Sequence, residues 1–212
     1  MESEIRFYYA MDKYNKLNKK LKEYKELEYK GCFHEQTVQY DHPIESKSFY
    51  RKETDGRFRL RISKKTNAKQ TDAKISWKRR LLLLSDEIIN NEEEVELTIK
   101  YDEINNLIYL LENVIQMKKI ESYERYRNVF SNKDIEIVVD KYPFGVALEI
   151  ENKSEEKSPE ETILYWVNKL GLDINKAFRL SWDDKYTQLC KEQNVEIYKN
   201  VIFGLPMPKI VD

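Results

Sequence analysis

Alternation of apolar and charged residues along the chain predicts β-strands. In residues 57–63, Phe58, Leu60 and Ile62 alternate with three arginines, which puts the apolar side chains on one face of a strand and the arginines on the other. The same period of two predicts eight strands, over residues 3–8, 34–40, 57–63, 73–82, 93–99, 122–130, 134–139 and 146–151. Eight strands are enough to close a small barrel.

Apolar residues spaced three and four positions apart predict helices between these strands. The four helices cover residues 12–30, 102–117, 158–171 and 183–192. The third begins at Ser158, where Pro159 takes the first helical position and Glu161 completes a capping-box pattern. Because no linker or repeat interrupts the pattern, we expect one α+β domain over residues 1–212, with a C-terminal helical segment of about 158–195 packed on it.

The polar faces of the predicted strands carry charges, often of one sign. Glu149 and Glu151 share a face, as do Arg57, Arg59 and Arg61. One interpretation is a one-sided antiparallel sheet whose charged face meets water. The other is an inverted barrel, in which the apolar faces pack outward against the helices and the charged faces line an interior. Like charges two residues apart are costly without a ligand between them, and across the set of strands this favours the inverted barrel.

An interior of this kind would suit a metal-bound polyphosphate. Carboxylates are the hard oxygen ligands that Mg²⁺ and Mn²⁺ prefer, and such ions commonly bind substrate phosphates as well. Arginine suits phosphate because its planar guanidinium donates two hydrogen bonds to adjacent oxygens.

Composition narrows the alternatives. The 212 residues include 37 Lys and Arg against 38 Asp and Glu, and this balance argues against sequence-independent binding of duplex nucleic acid. Cys32 and Cys190 lack metal-ligand spacing, His34 and His42 lack the signature of a catalytic triad, and five glycines leave no Gly-rich phosphate loop. No apolar run is long enough for a membrane span and no signal segment begins the chain, so we expect a cytoplasmic protein without membrane contact.

At this point the sequence resembles the CYTH, or triphosphate tunnel metalloenzyme, superfamily. The segment ESEIR (residues 2–6) is similar to its Glu-x-Glu-x-Lys signature, with Arg6 in place of the lysine. In the same order follow RFRLRIS (57–63), KISWKRR (74–80), EVE (94–96), YERYRNVF (123–130) and VDKYPFGVALEIE (139–151), and AFRLSWDDKY (177–186) is similar to its Arg/Lys-x-Ser-Tyr region. Six short motifs in the correct order are a fairly specific match.

The resemblance implies a role for each of these positions in an eight-stranded antiparallel tunnel. The expected metal ligands are Glu2, Glu4, Glu149 and Glu151. Further acidic positions, acting as ligands through water or as a base, are Glu94, Glu96 and Asp140. The expected substrate-binding residues are Arg6, Arg57, Arg59, Arg61, Lys78, Arg125, Arg127 and Arg179.

The family includes class IV adenylate cyclases and thiamine, inorganic and RNA triphosphatases, so the resemblance implies an enzyme that acts on a triphosphate with Mg²⁺ or Mn²⁺. Hydrolysis of inorganic triphosphate or a nucleoside triphosphate is the first expectation. A class IV-type cyclase, which makes cyclic AMP and pyrophosphate from ATP, is the second. A module that binds a nucleotide, polyphosphate or an RNA 5′-triphosphate without turnover is the third. A homodimer through the helical exterior is plausible, and the organic part of the substrate stays open.

Overall fold

Eight antiparallel strands close into a barrel in the computed structural model, which describes residues 2–68, 71–81 and 89–211. The strands follow the order β2-β3-β4-β5-β1-β8-β7-β6, and pairing of β2 with β6 closes the ring. Their bounds are β1 Glu2–Tyr9, β2 Glu28–Asp41, β3 Gly56–Lys65, β4 Thr71–Arg80, β5 Asn90–Ile99, β6 Lys118–Ser131, β7 Ile135–Tyr142 and β8 Gly145–Asn152. The predicted α+β fold and antiparallel barrel are confirmed. A two-residue strand, β9 (Asn200–Val201), adds to β6 in parallel and was not predicted.

Four helices lie on the chain between or after the strands: α1 Lys13–Lys22, α2 Ile104–Tyr109, α3 Pro159–Lys169 and α4 Trp182–Gln193. A π-helical turn, Leu110–Val114, continues α2, so that the two together fill most of the predicted segment 102–117. The capping box at the start of α3 is present, with the Ser158 hydroxyl accepting from the Glu161 N–H at 3.1 Å. The last residue of predicted strand 73–82 lies outside the described residues.

The predicted first helix, 12–30, is wrong beyond Lys22. Residues 24–27 form a turn in which the Leu27 N–H donates to the Tyr24 carbonyl, and Glu28 already pairs with Ser131 of β6. Tyr24 and Leu27 keep the helical spacing because both pack on the same outer core that α1 covers. Residues 28–30 therefore belong to strand β2, which pairs with β6, and not to the helix. Gly31, with φ of 130°, forms the bulge that follows.

The barrel is inverted, with its apolar faces outward. Ile5, Leu148 and Ile150 from neighbouring strands pack against Ile163 and Trp166 of α3 in one buried cluster. The alternating residues of the same strands, including Glu4, Arg6 and Glu149, face a cavity inside the ring. Within the described residues, no helix is long and apolar enough to cross a membrane.

This packing predicts unequal costs for two truncations on the outer face. Ile150 is fully buried beneath α3, whereas Val95 on β5 is 54% exposed. We expect Ile150→Ala to lower the free energy of unfolding by about 2–5 kcal/mol. Val95→Ala should change it by less than about 0.5 kcal/mol. Urea unfolding of both variants measures this, and equal losses would contradict a core that lies outside the barrel.

Candidate functional site

A charged cavity of about 170 Å³ runs inside the barrel. Within the part of the chain that the structure describes, eight glutamates and nine lysines or arginines line it. The acidic residues are Glu2, Glu4, Glu92, Glu94, Glu96, Glu136, Glu149 and Glu151. The basic residues are Arg6, Arg57, Arg59, Arg61, Lys74, Lys78, Arg125, Arg127 and Lys153. The space holds on the order of ten water molecules, which is enough for a short chain of phosphates.

Two arginines of β6 form the centre of a wall of short ion pairs. Arg125 donates to Glu35 at 2.7 Å and to Asp140 at 2.8 Å, and Arg127 contacts Asp140 at 2.6 Å and Glu149 at 2.8 Å. Strand pairing produces these contacts, because Glu35 lies opposite Arg125 and Asp140 lies opposite Arg127 in their ladders. The pairs hold both guanidinium groups in fixed positions.

Glu149 joins this wall to β1. Its two oxygens accept from Arg6 at 2.5 Å and from Arg127 at 2.8 Å, while Arg6 also contacts Glu4 at 2.6 Å. Burial opposes ionisation of Glu149, but the nearby arginine charges outweigh it and hold its pKa well below its usual range. Glu149 is therefore an ionised carboxylate that positions two arginines.

A second group of carboxylates gathers around Lys78. Its Nζ lies 2.5 Å from Glu2 Oε2 and 2.6 Å from Glu92 Oε2. Glu94 and Glu151 line the cavity beside Glu2. Burial and the negative charge of Glu2 raise the pKa of Glu94 to about 7 and that of Glu151 to about 8. The four carboxylates Glu2, Glu92, Glu94 and Glu151 thus share two lysines, because Lys153 also contacts Glu151.

The arginines of β3 are less completely paired. Arg59 reaches Glu94 only at 3.7 Å and Arg61 reaches Glu35 only at 3.8 Å. The Nε atoms of Arg57 and Arg59 are buried and make no hydrogen bond to any described group. Because buried donors are normally satisfied, these atoms point to an acceptor-rich ligand.

The start of α4 closes the cavity beside Arg57. The Ser181 hydroxyl accepts from Arg57 at 3.1 Å and from Arg80 at 2.6 Å, and Asp184 contacts Arg80 at 2.5 Å. The Trp182 side chain lines the cavity next to them. This wall excludes solvent from the basic side of the cavity.

No family model and no curated protein matches the sequence. Solved structures do match: a protein from Pyrococcus horikoshii has a TM-score of 0.65 at 23% identity, over 91% of this chain and 99% of that one. A Hippeastrum protein, described as a candidate adenylyl cyclase with a dominant triphosphatase activity, has a TM-score of 0.58 at 14% identity, over 93% and 98%. A candidate adenylate cyclase from Vibrio parahaemolyticus has a TM-score of 0.58 at 15% identity, and the match covers 86% of this chain and 95% of that one. The fold of this chain is similar to the folds of these solved structures.

The barrel fold brings most of the predicted site residues to one cavity. The lining includes all four predicted metal ligands, both Glu94 and Glu96, and every predicted phosphate-binding residue except one. That exception, Arg179, is exposed and does not line the cavity. Asp140 is fully buried behind Arg125 and Arg127 instead of facing the cavity, so its contacts suit a positioning group. The chemical roles of all these residues stay predictions.

Sequence reasoning missed several residues of this cavity. Glu35 and Glu92 are buried ion-pair partners, and Tyr123, Tyr142 and Trp182 are aromatic lining residues. The alternation within residues 34–40 already put Glu35 on the face of Thr37 and Gln39, which was a usable signal. Glu92 lay just before the predicted start of its strand and therefore had no assigned face.

The donor chemistry of this cavity suits a hard divalent cation. Among the described residues, no group of three or more His, Cys, Asp or Glu side chains is arranged so that it could hold a metal ion. Glu2, Glu94 and Glu151 nevertheless line the cavity together, and their crowded charge is what such a cation would neutralise. These three glutamates would hold it after the protons on Glu94 and Glu151 are displaced.

The paired wall predicts a pH-dependent contribution of Glu35 to stability. Burial opposes ionisation of Glu35, but Arg125 and Arg61 outweigh it and lower its pKa well below the unfolded value of about 4.3. A lowered folded pKa contributes stability above the unfolded pKa that is lost as pH falls through the folded one. We expect Glu35→Gln to cost about 3 kcal/mol at pH 7, with the difference from wild type shrinking below about pH 4.

Urea unfolding across this pH range measures the effect of Glu35→Gln. The matched control is Glu93→Gln, because Glu93 forms an exposed pair with Arg79 on the outside of the barrel and should contribute little at any pH. A Glu35→Gln cost that stays constant with pH would show that the carboxylate charge does not stabilise the wall.

Proposed function

We propose that this protein is a divalent-metal-dependent hydrolase of a triphosphate, with inorganic triphosphate or a nucleoside triphosphate as substrate. The observation that carries the proposal is the separation of charge inside the closed cavity. Incompletely paired arginines lie on β3, and the neighbouring carboxylates of Glu2, Glu94 and Glu151 lie on β1, β5 and β8. In a metal-bound triphosphate, the anionic phosphate chain would bind to the arginines and the cation would bind to the glutamates.

The charge balance of the cavity supports a metal-bound ligand over a free anion. Its nine basic and eight acidic lining residues, counted over the described chain, nearly cancel. Even with Glu94 and Glu151 protonated, a bare triphosphate would bring several negative charges beside the ionised Glu2 and Glu149. An accompanying divalent cation reduces that excess, so anion and cation are expected to bind together.

The basic residues would bind the phosphates. Arg59 and Arg61 on β3 and Lys78 on β4 line the cavity beside each other, and the β6 arginines are held from behind by Asp140 and Glu35. Guanidinium groups fixed before substrate arrives stabilise the charge that develops on phosphoryl oxygens without further reorganisation. This is positioning and electrostatic chemistry of the kind that phosphoryl transfer requires.

The carboxylates would bind the cation and position water. A bound divalent cation lowers the pKa of a coordinated water and orients the phosphate chain. Burial and Glu2 raise the pKa values of Glu94 and Glu151 to about 7 and 8, so near neutral pH both would lose their protons readily to a bound cation. Attack of water on the terminal phosphorus then breaks its bond to the bridging oxygen, and orthophosphate leaves with pyrophosphate or a nucleoside diphosphate.

The position of α4 favours hydrolysis over cyclisation. Ser181 and Trp182 close the basic side of the cavity, which limits the room for a ribose and base, whereas an inorganic triphosphate needs no such room. The Hippeastrum protein with the same fold is described as having a dominant triphosphatase activity. Cyclase chemistry is the second candidate, because other proteins of this fold are described as candidate adenylate cyclases.

Product analysis distinguishes these activities. We expect wild-type protein with Mg²⁺ or Mn²⁺ to release orthophosphate from tripolyphosphate or ATP, and EDTA to abolish the release. Glu151→Gln should reduce turnover at least about 100-fold, because it removes one charge from the proposed cation site. Glu93→Gln, outside the barrel, should retain wild-type turnover.

Other products would change the conclusion. Cyclic AMP with pyrophosphate from ATP would replace hydrolysis with cyclase chemistry. Tripolyphosphate bound in EDTA, without product under either metal, would indicate a binding module and contradict the enzyme. Equal turnover by Glu151→Gln and wild type would remove the acidic cluster from the mechanism.

A further inference from the structure

The Tyr123 hydroxyl is a buried polar group at the cavity wall that has no hydrogen-bond partner among the described residues. Tyr123 lies on β6, is 2% exposed and lines the cavity. Thr37 lies opposite it in the ladder with β2, but the hydroxyl makes no hydrogen bond of acceptable length and angle to any described group. Burying an unsatisfied hydroxyl destabilises the folded state, and phenylalanine would avoid that cost at nearly the same volume.

The surroundings of the ring fix it in this position. The Trp182 ring of α4 lies against it with centroids 4.2 Å apart, and the Tyr142 ring of β7 lies 6.2 Å away. On the cavity side, Thr37 separates Tyr123 from Arg61 in one row across β6, β2 and β3. Thr37 already accepts a long hydrogen bond of 3.4 Å from Arg61. The hydroxyl therefore shares a row with an arginine that lines the same cavity.

The charges around Tyr123 are mainly positive. Arg59 and Arg61 face it from β3, and Arg125 from its own strand, while the neighbouring Tyr142 stays protonated because burial raises its pKa. Glu121, two residues earlier on β6, has its pKa raised to about 7 by burial and Asp183, and it hydrogen-bonds to Gln39. Burial opposes ionisation of Tyr123, but the three arginines outweigh it and lower its pKa to about 7.

We propose that the Tyr123 hydroxyl donates a hydrogen bond to a phosphate oxygen that Arg59 and Arg61 also bind. This inference rests on the proposed function, since it assigns a further ligand of the same phosphate chain. The ligand oxygen supplies the acceptor that the hydroxyl lacks, along with acceptors for the unpartnered Nε atom of Arg59. A bound anion also offsets the arginine charges, so the phenol keeps its proton when substrate is present.

The first test uses the near-ultraviolet absorbance of tyrosinate. We expect wild-type protein to show one tyrosinate appearing near neutral pH, a step that Tyr123→Phe lacks. Tripolyphosphate with Ca²⁺ or Mg²⁺ should remove this step, because the bound anion restores the proton. Tyr126→Phe is the matched control, since Tyr126 stacks on His34 at the outer face of the same strand and should leave the step unchanged.

The second test measures the affinity of each variant for tripolyphosphate by calorimetry, and its KM and kcat by kinetics. We expect Tyr123→Phe to weaken binding and raise KM about tenfold, because it loses one hydrogen bond to a charged group. Tyr126→Phe should match wild type. A Tyr123→Phe variant that binds as tightly as wild type would overturn the role of Tyr123 but not the proposed function. A tyrosinate step that bound tripolyphosphate leaves intact would do the same. Binding that removes the step without turnover would support Tyr123 and refute the hydrolase. Absence of any tripolyphosphate binding would overturn both.

Discussion

Burial of charge is the constraint on which this structure depends. A charged side chain removed from water must be paired, neutralised or bound to a ligand, and the barrel interior contains many of them. Arg125 and Arg127 meet this requirement through Glu35, Asp140 and Glu149 on neighbouring strands. Because the interior is charged, the apolar face of each strand turns outward, and α3 covers part of it. The inverted barrel and its external core are therefore two results of one requirement.

The β6 arginines form short ion pairs, whereas the charges elsewhere in the cavity are less evenly matched. Glu94 and Glu151 relieve their mutual repulsion with Glu2 by holding protons, as their raised pKa values indicate. On the opposite side, the Nε of Arg59 and the Tyr123 hydroxyl lack acceptors among the described residues. One group lacks a cation and the other lacks an anion. A metal-bound triphosphate would supply both, and this complementarity supports the proposed function more strongly than the count of charges does.

Local pattern was enough to predict the strands, because a period of two persists whichever face is buried. The alternation of Arg57, Arg59 and Arg61 also predicted that these residues share a face, and the repetition of like charges at spacing two across the strands favoured the inverted barrel. Cross-strand partners could not be predicted this way, since the pairing of Glu35 with Arg125 depends on the register between β2 and β6. Helical spacing also gave the wrong end for α1. Tyr24 and Leu27 keep the helical spacing, but from Glu28 onward the backbone pairs with β6 as a strand.

The central claim is that the cavity binds a cation and a triphosphate together, and ligand-dependent thermal unfolding tests it most directly. A ligand that binds only the folded state raises the unfolding temperature in proportion to its binding free energy. The account predicts a small shift with Mg²⁺ alone, a small shift with tripolyphosphate in EDTA, and a rise with both that clearly exceeds the sum of the two. Equal shifts with tripolyphosphate in EDTA and in Mg²⁺, or no shift with both present, would contradict it.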